Sequence, residues 1–148
     1  MSLIRRLGRV TLGFVLVAFL QNNLAQAQKP GSDEIPKVLL AGMEAYKTDG
    51  PEAAIKAWLK GSPIEGSRDA LSQANIMRQV QDYYGTYKAF EIIGSRSLSP
   101  SNRVLYFAMN YEKGPLFAKF LVYHSPDGWI VVNFVFNTKE EVVIPSNL

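Results

Sequence analysis

At Gly85 the hydrophobic period of this 148-residue chain changes, and no other feature constrains the fold as much. Before it, apolar residues recur at helical spacing. Ile35, Val38, Leu39, Met43 and Tyr46 share one face of a first helix ending at Asp49-Gly50. Its expected cap is Ser32 or Asp33, with Pro36 near the start, where proline is tolerated. Pro51-Glu52 opens a second helix running to Lys60, with Ala54, Ile55, Trp58 and Leu59 on its buried side. Ser67 is the expected cap of a third, whose apolar set is Leu71, Ala74, Met77, Val80 and Tyr84, and Gly85 suits its stop. After Gly85, residues 87–96, 103–112, 116–124 and 129–137 are rich in aromatic and β-branched side chains. Turn residues separate them: Ser99-Pro100-Ser101-Asn102, Lys113-Gly114-Pro115 and Ser125-Pro126-Asp127-Gly128. Connections this short join antiparallel neighbours. The predicted fold is therefore α+β: three N-terminal helices packed on a curved four-stranded antiparallel meander sheet.

Strict alternation in the last strand sends Ile130, Val132, Phe134 and Phe136 to one face. Trp129, Val131, Asn133, Val135 and Asn137 go to the other. The second set is only half polar, so both faces of that strand are expected to be covered. Residues 140–148 are expected to add a short edge segment or to stay loose.

The N-terminus has a different logic. Arg5, Arg6 and Arg9 precede an eleven-residue apolar run from Val10 to Leu20, and Ala25-Gln26-Ala27 then offers small residues at the two positions signal peptidase reads. This is the layout of a secretory signal peptide, with cleavage expected after Ala27. The run is about half the ~20 residues a spanning helix needs. The expected organisation is signal peptide 1–27, flexible lead-in 28–33 and a single α+β domain 34–148. Contact with a membrane is expected only through the precursor's signal peptide, and the lack of any cysteine after the apolar run excludes lipid attachment there.

Charge and cysteine content narrow the function classes. Three of the sixteen basic residues precede Ala27, which leaves thirteen against thirteen acids and no formal net charge in the mature chain. The basic pI near 9.2 belongs to the precursor, so nucleic acid is not an expected partner. Zero cysteines exclude disulfides and thiolate chemistry. A disulfide-free exported domain with an Arg-rich leader points to the bacterial periplasm.

Residues that could carry chemistry are few. His124 is the one histidine, at the end of the third strand segment, and is a weak candidate for acid–base work. One histidine without cysteine makes no zinc site, and neither metal nor cofactor is expected. No nucleophile elbow or glycine-rich phosphate loop is present. The aromatic residues of the strand half outnumber what one sheet face uses. Their excess would line a ligand cavity or form a sheet-to-sheet dimer interface through Trp129, Val131, Asn133 and Val135.

Ala45-Tyr46-Lys47 with Gly50-Pro51-Glu52-Ala53-Ala54-Ile55-Lys56-Ala57-Trp58, then Tyr84-Gly85, then a strand-rich half ending in Asp127-Gly128-Trp129, form an order that carries a resemblance. It is similar to the nuclear-transport-factor-two-like (cone-shaped α+β) superfamily, and in particular to its small exported bacterial members of unassigned function. The resemblance implies a conical pocket between helices and sheet, with Trp58, Tyr84, Tyr106 and Phe120 as ligand-binding candidates. Isomerases of that superfamily set a carboxylate base opposite a tyrosine. The matching residues would be Asp82 or Glu91, with Tyr83, Tyr106 or Tyr123. Fold alone leaves the function open. The favoured reading is an exported non-enzymatic binding domain. It would act through a protein partner on its sheet (a second copy or an envelope protein) or through a small apolar ligand in the cone. The alternative is a cofactor-free lyase or isomerase using a pocket carboxylate or His124 as base.

Overall fold

The computed structural model describes residues 35–148. The proposed leader and lead-in, the cleavage residues Ala25 and Ala27, and the caps Ser32 and Asp33 lie outside them. In chain order the elements are α1 (Lys37–Asp49), α2 (Pro51–Trp58), α3 (Arg68–Tyr84), β1 (Tyr87–Ser99), β2 (Asn102–Tyr111), β3 (Pro115–Ser125), β4 (Gly128–Asn137) and α4 (Glu140–Val143). The strands form one open antiparallel sheet in the order β1-β2-β3-β4. The fold is α+β.

Local chemistry sets the helix boundaries. α1 begins directly after Pro36, which occupies its cap position without a side-chain hydrogen bond. Gly50, at φ 88°, turns the chain out of α1, and Pro51 starts α2 with the fixed φ that a first helical position accepts. The Ser67 Oγ accepts a 3.1 Å hydrogen bond from the Ala70 amide and caps α3. Gly85, at φ 82°, ends that helix. Replacing Ser67 by Ala removes the acceptor for an otherwise orphaned amide, so a loss of about 1 kcal/mol is expected in urea unfolding. No loss would mean that water satisfies the amide equally well.

α1 and α2 pack as a tight antiparallel pair, and Gly42 is the reason they can. The Trp58 indole lies directly on the Cα of Gly42, where a side chain would come within 2.0 Å of Nε1. The same Nε1 donates a 3.0 Å bond to the Leu39 carbonyl. α3 packs mainly against α2 through Ala70, Ala74, Met77 and Val80. Leu71, placed on that buried set by helical spacing, is instead 61% exposed. It borders an open groove of about 370 Å³ between α2 and α3, lined also by Ile55, Leu59, Ala70 and Ala74.

The helix-facing side of the sheet holds Leu105, Phe107 and Met109 of β2, Leu116, Ala118, Phe120 and Val122 of β3, and Phe90 and Ile92 of β1. In β4 the expected alternation fails. Val122 pairs with Val131 and Leu121 with Asn133, so Val132 is an extra, bulged residue. Trp129 and Val131 therefore point to the helix side, as do Phe134 and Phe136 beyond the bulge. Asn133 and Val135, paired with Leu121 and Lys119, point to the outer face. The four residues proposed as one interface are thus divided between two faces.

Residues Glu140–Leu148 neither extend the sheet edge nor stand free. They form α4 and a short tail that crosses the outer face. α4 contacts β4 and β3, and the Leu148 side chain lies over Gly94 of β1, within 3.1 Å of where a Cβ would stand. Val143 of the strap is only 3% exposed, and beneath it Tyr106 (3%) and Val104 are buried. All three lie outside the main core, as a second small apolar layer.

Candidate functional site

The interior between helices and sheet is packed with aromatic rings. Trp58 lies 5.0 Å from Phe120 and 5.6 Å from Phe136 between centroids, and Phe120 is 5.9 Å from Phe107. Trp58, Phe107 and Phe120 are fully buried. Trp58 and Phe120, proposed to line a conical pocket, instead fill its place. Tyr106 points to the opposite face, since it pairs with Gly94 and Lys119. Tyr84 is half-buried at the end of α3, its ring close to Gly114. The four ligand candidates do not converge.

The candidate bases do not converge either. Asp82 and its neighbour Tyr83 (76% exposed) face solvent at the end of α3. Glu91 is exposed on the outer side of β1, where it accepts a 3.0 Å hydrogen bond from Asn110 Nδ2. His124 is exposed at the end of β3, its ring edge-on to Trp129 at 4.9 Å. The Arg103 guanidinium stands 5.8 Å over the same indole. Arg103 and Trp129 line a cleft of about 600 Å³ together with Lys37, Asp127 and the start of α1. Among the described residues, no three of His, Asp and Glu come together as a metal site.

A cluster the sequence reading missed is a buried tyrosine triad. Tyr46 of α1, Tyr87 of β1 and Tyr111 of β2 pack edge to face, with centroids 4.7 to 6.1 Å apart. Tyr111 Oη donates to Tyr46 Oη at 2.7 Å, and Tyr46 Oη donates onward to Gln81 Oε1 at 3.4 Å. Burial pushes all three phenols up: Tyr87 to about 12, helped by Tyr46 and the Glu44 carboxylate, with Tyr46 and Tyr111 also raised. These hydroxyls stay protonated at neutral pH and cannot serve as bases there. Their geometry is that of a hydrogen-bonded pin joining α1, α3 and the paired ends of β1 and β2. The clue available in the sequence was that a buried tyrosine needs a partner for its hydroxyl.

The outer sheet face is the remaining extended feature. Its central strand β3 presents Phe117, Lys119, Leu121 and Tyr123, continued on β4 by Ile130 and Val135, while Val104 and Tyr106 of β2 are buried under the C-terminal segment. Its edges are polar: Glu91 and Arg96 on β1, Asn133 and Asn137 on β4. Phe117, Leu121 and Ile130 are half-buried, and Tyr123 is exposed. Apolar and aromatic side chains around one cation, edged by polar residues, match the layout of protein interfaces.

No protein-family model matches this chain, and no curated protein matches it. Among solved structures it is similar to a domain of unknown function with a cystatin-like fold from Nostoc punctiforme, at 11% identity over 72% of this chain and 76% of that chain, with a TM-score of 0.48. It is also similar to an NTF-2-like protein of unknown function from Silicibacter pomeroyi, at 19% identity over 70% of this chain and 94% of the other, with a TM-score of 0.44. A third similarity is to the intermembrane-space region of the chloroplast protein ARC6, at 10% identity over 70% and 90% of the two chains, with a TM-score of 0.39.

Proposed function

We propose that this chain is a periplasmic, non-catalytic binding domain of the nuclear-transport-factor-two-like type, released by cleavage after Ala27, and that it docks a protein partner on the outer face of its sheet. The observation that carries this reading is the set of apolar side chains Phe117, Leu121, Tyr123 and Ile130 around the single cation Lys119, with Glu91, Arg96, Asn133 and Asn137 on the edge strands. Two further observations support it. The interior offers Trp58 and Phe120 as packing, so a small apolar ligand has lost the residues proposed to hold it. Asp82, Glu91 and His124 stand exposed on three separate elements, so the lyase or isomerase alternative has no assembled acid–base pair.

A photo-crosslinking residue at position 123 tests the docking. In cells making the protein, a discrete adduct is expected, and Leu121→Asp should reduce it at least 10-fold while leaving the circular dichroism spectrum unchanged. An adduct of twice the mature mass would identify a second copy as the partner. Adduct formation that ignores Leu121→Asp would overturn the reading. The intact mass of the exported chain tests processing, which is expected to begin it at Gln28.

A further inference from the structure

The β1–β2 part of the outer face already has an occupant, the segment Glu140–Leu148. We propose that Glu140–Leu148 is a displaceable stand-in for the partner, and that the face takes a short protein segment presenting two aliphatic side chains spaced as Val143 and Leu148 are. This rests on the outer-face reading above.

The way the strap is attached carries the argument. The backbone hydrogen bonds of the segment are internal to the strap and its hinge: Val142 to Lys139, Ile144 to Glu140 and Leu148 to Pro145. Among the described residues, no hydrogen bond or ion pair joins Glu140–Leu148 to the sheet below. Apolar contact alone holds it, through Val143 at one end and Leu148 on Gly94 at the other. Strands of the sheet, by contrast, are tied along their lengths by ladders of backbone bonds interrupted only at bulges. α4 has only four residues, far below the ~12 that sustain a helix without tertiary support. Thr138, Lys139, Glu140, Glu141 and Val142 are all exposed. The segment can therefore lift at Thr138 without breaking the sheet's backbone ladder; the one bond across the hinge is the 2.9 Å bond from the Lys139 amide to Asn137 Oδ1. Local opening of this kind is expected where few buried contacts hold a segment.

The surface beneath specifies the ligand. Gly94 has no side chain, and the notch this leaves in edge strand β1 receives Leu148. Next to it lie Tyr106 and then Lys119 on the neighbouring strands. A partner segment that fills the notch must first displace a tail tethered at a millimolar-range effective concentration, so the strap sets a threshold against weak competitors.

The probe is a synthetic peptide with the sequence of residues 139–148, titrated to millimolar concentration and followed by amide NMR shifts. In the mature chain carrying Val143→Asp and Leu148→Asp, saturable shifts are expected at Gly94 and Tyr106, with binding at least 10-fold tighter than to the unaltered chain. Equal or absent binding in a variant with native circular dichroism overturns the proposal. Should that variant fail to fold, Gly94→Cys with Leu148→Cys in this cysteine-free chain replaces it. The oxidised, locked form should bind the peptide at least 10-fold more weakly than the reduced form, and equal binding overturns the proposal. Peptide binding that fails while the position-123 adduct persists sinks the strap and leaves the docking face standing. Loss of the adduct with peptide binding retained does the reverse.

Discussion

Gly42→Ala should destabilise the domain by about 3 kcal/mol, near the upper end for overpacked cores. In an ordinary helix interior the same change stabilises by roughly 1 kcal/mol. The sign reverses because the new Cβ would stand 2.0 Å from Trp58 Nε1 and 2.1 Å from Cδ1. The indole cannot step aside. It is held by its bond to the Leu39 carbonyl and by Phe120 and Phe136 on its other side. α1 and α2 would have to separate by more than an ångström, and that opens the packed interior. Urea unfolding of the single variant and of Gly42→Ala with Trp58→Leu provides the check. The smaller side chain removes the collision, so the two substitutions should be strongly non-additive. A single variant as stable as the parent would mean that the helix pair is looser than its geometry.

The second large effect is alkaline unfolding. For Tyr46, Tyr87 and Tyr111 the folded chain favours the neutral phenol. Unfolding returns each to about 10, the ordinary value. Above pH 10 the unfolded chain therefore binds fewer protons than the folded one, and stability falls as pH rises. The contribution is complete below pH 10. For Tyr87 it is lost by about pH 12, its folded value. Melting temperature is expected to be level through neutral pH and to drop steeply between pH 10 and 12. The late rise in tyrosinate absorbance should coincide with loss of the circular dichroism signal. Tyr111→Phe removes one raised phenol and should flatten the drop. Early tyrosinate with the fold intact, of which Tyr111→Phe removes a part, would show that the triad is open to solvent.

Much of the architecture was legible from neighbouring residues. Ser67 and Gly85 bracket α3 as capping chemistry requires, and Pro51 after Gly50 separates two helices. The three turn clusters between strands imply a meander, and the sheet order is β1-β2-β3-β4. Each of these is decided by interactions within a few positions along the chain.

The candidate site was far less legible, because each of its parts depends on distant residues. Alternation along β4 cannot reveal that Val132 is an extra residue, since a bulge is defined by its partner strand. It moved Trp129 and Val131 from the proposed interface to the helix side. Trp58 and Phe120 read equally well as pocket lining or as core; their 5.0 Å ring contact decides for core. Tyr46, Tyr87 and Tyr111 are up to 65 positions apart and meet only in the folded chain. The strap, too, depends on Gly94 being free of a side chain, 54 positions before Leu148.

By itself, the sequence determined the order of three helices and four strands, the stops at Gly50 and Gly85, the antiparallel connections, the absence of disulfides and the neutrality of the chain after Ala27. Yet α1 starts only after Pro36, β1 runs on to Ser99 and Glu140–Val143 form a helical turn. Period, caps, turns and charge are local or additive properties, which a linear reading can sum. Only the tertiary structure decided which face each strand residue occupies, that Trp58 and Phe120 are packed against each other in the core, and that Glu140–Leu148 covers Val104 and Tyr106 on the outer sheet. Those outcomes are set by close packing and strand register, which depend on pairs of residues that the linear order does not bring together.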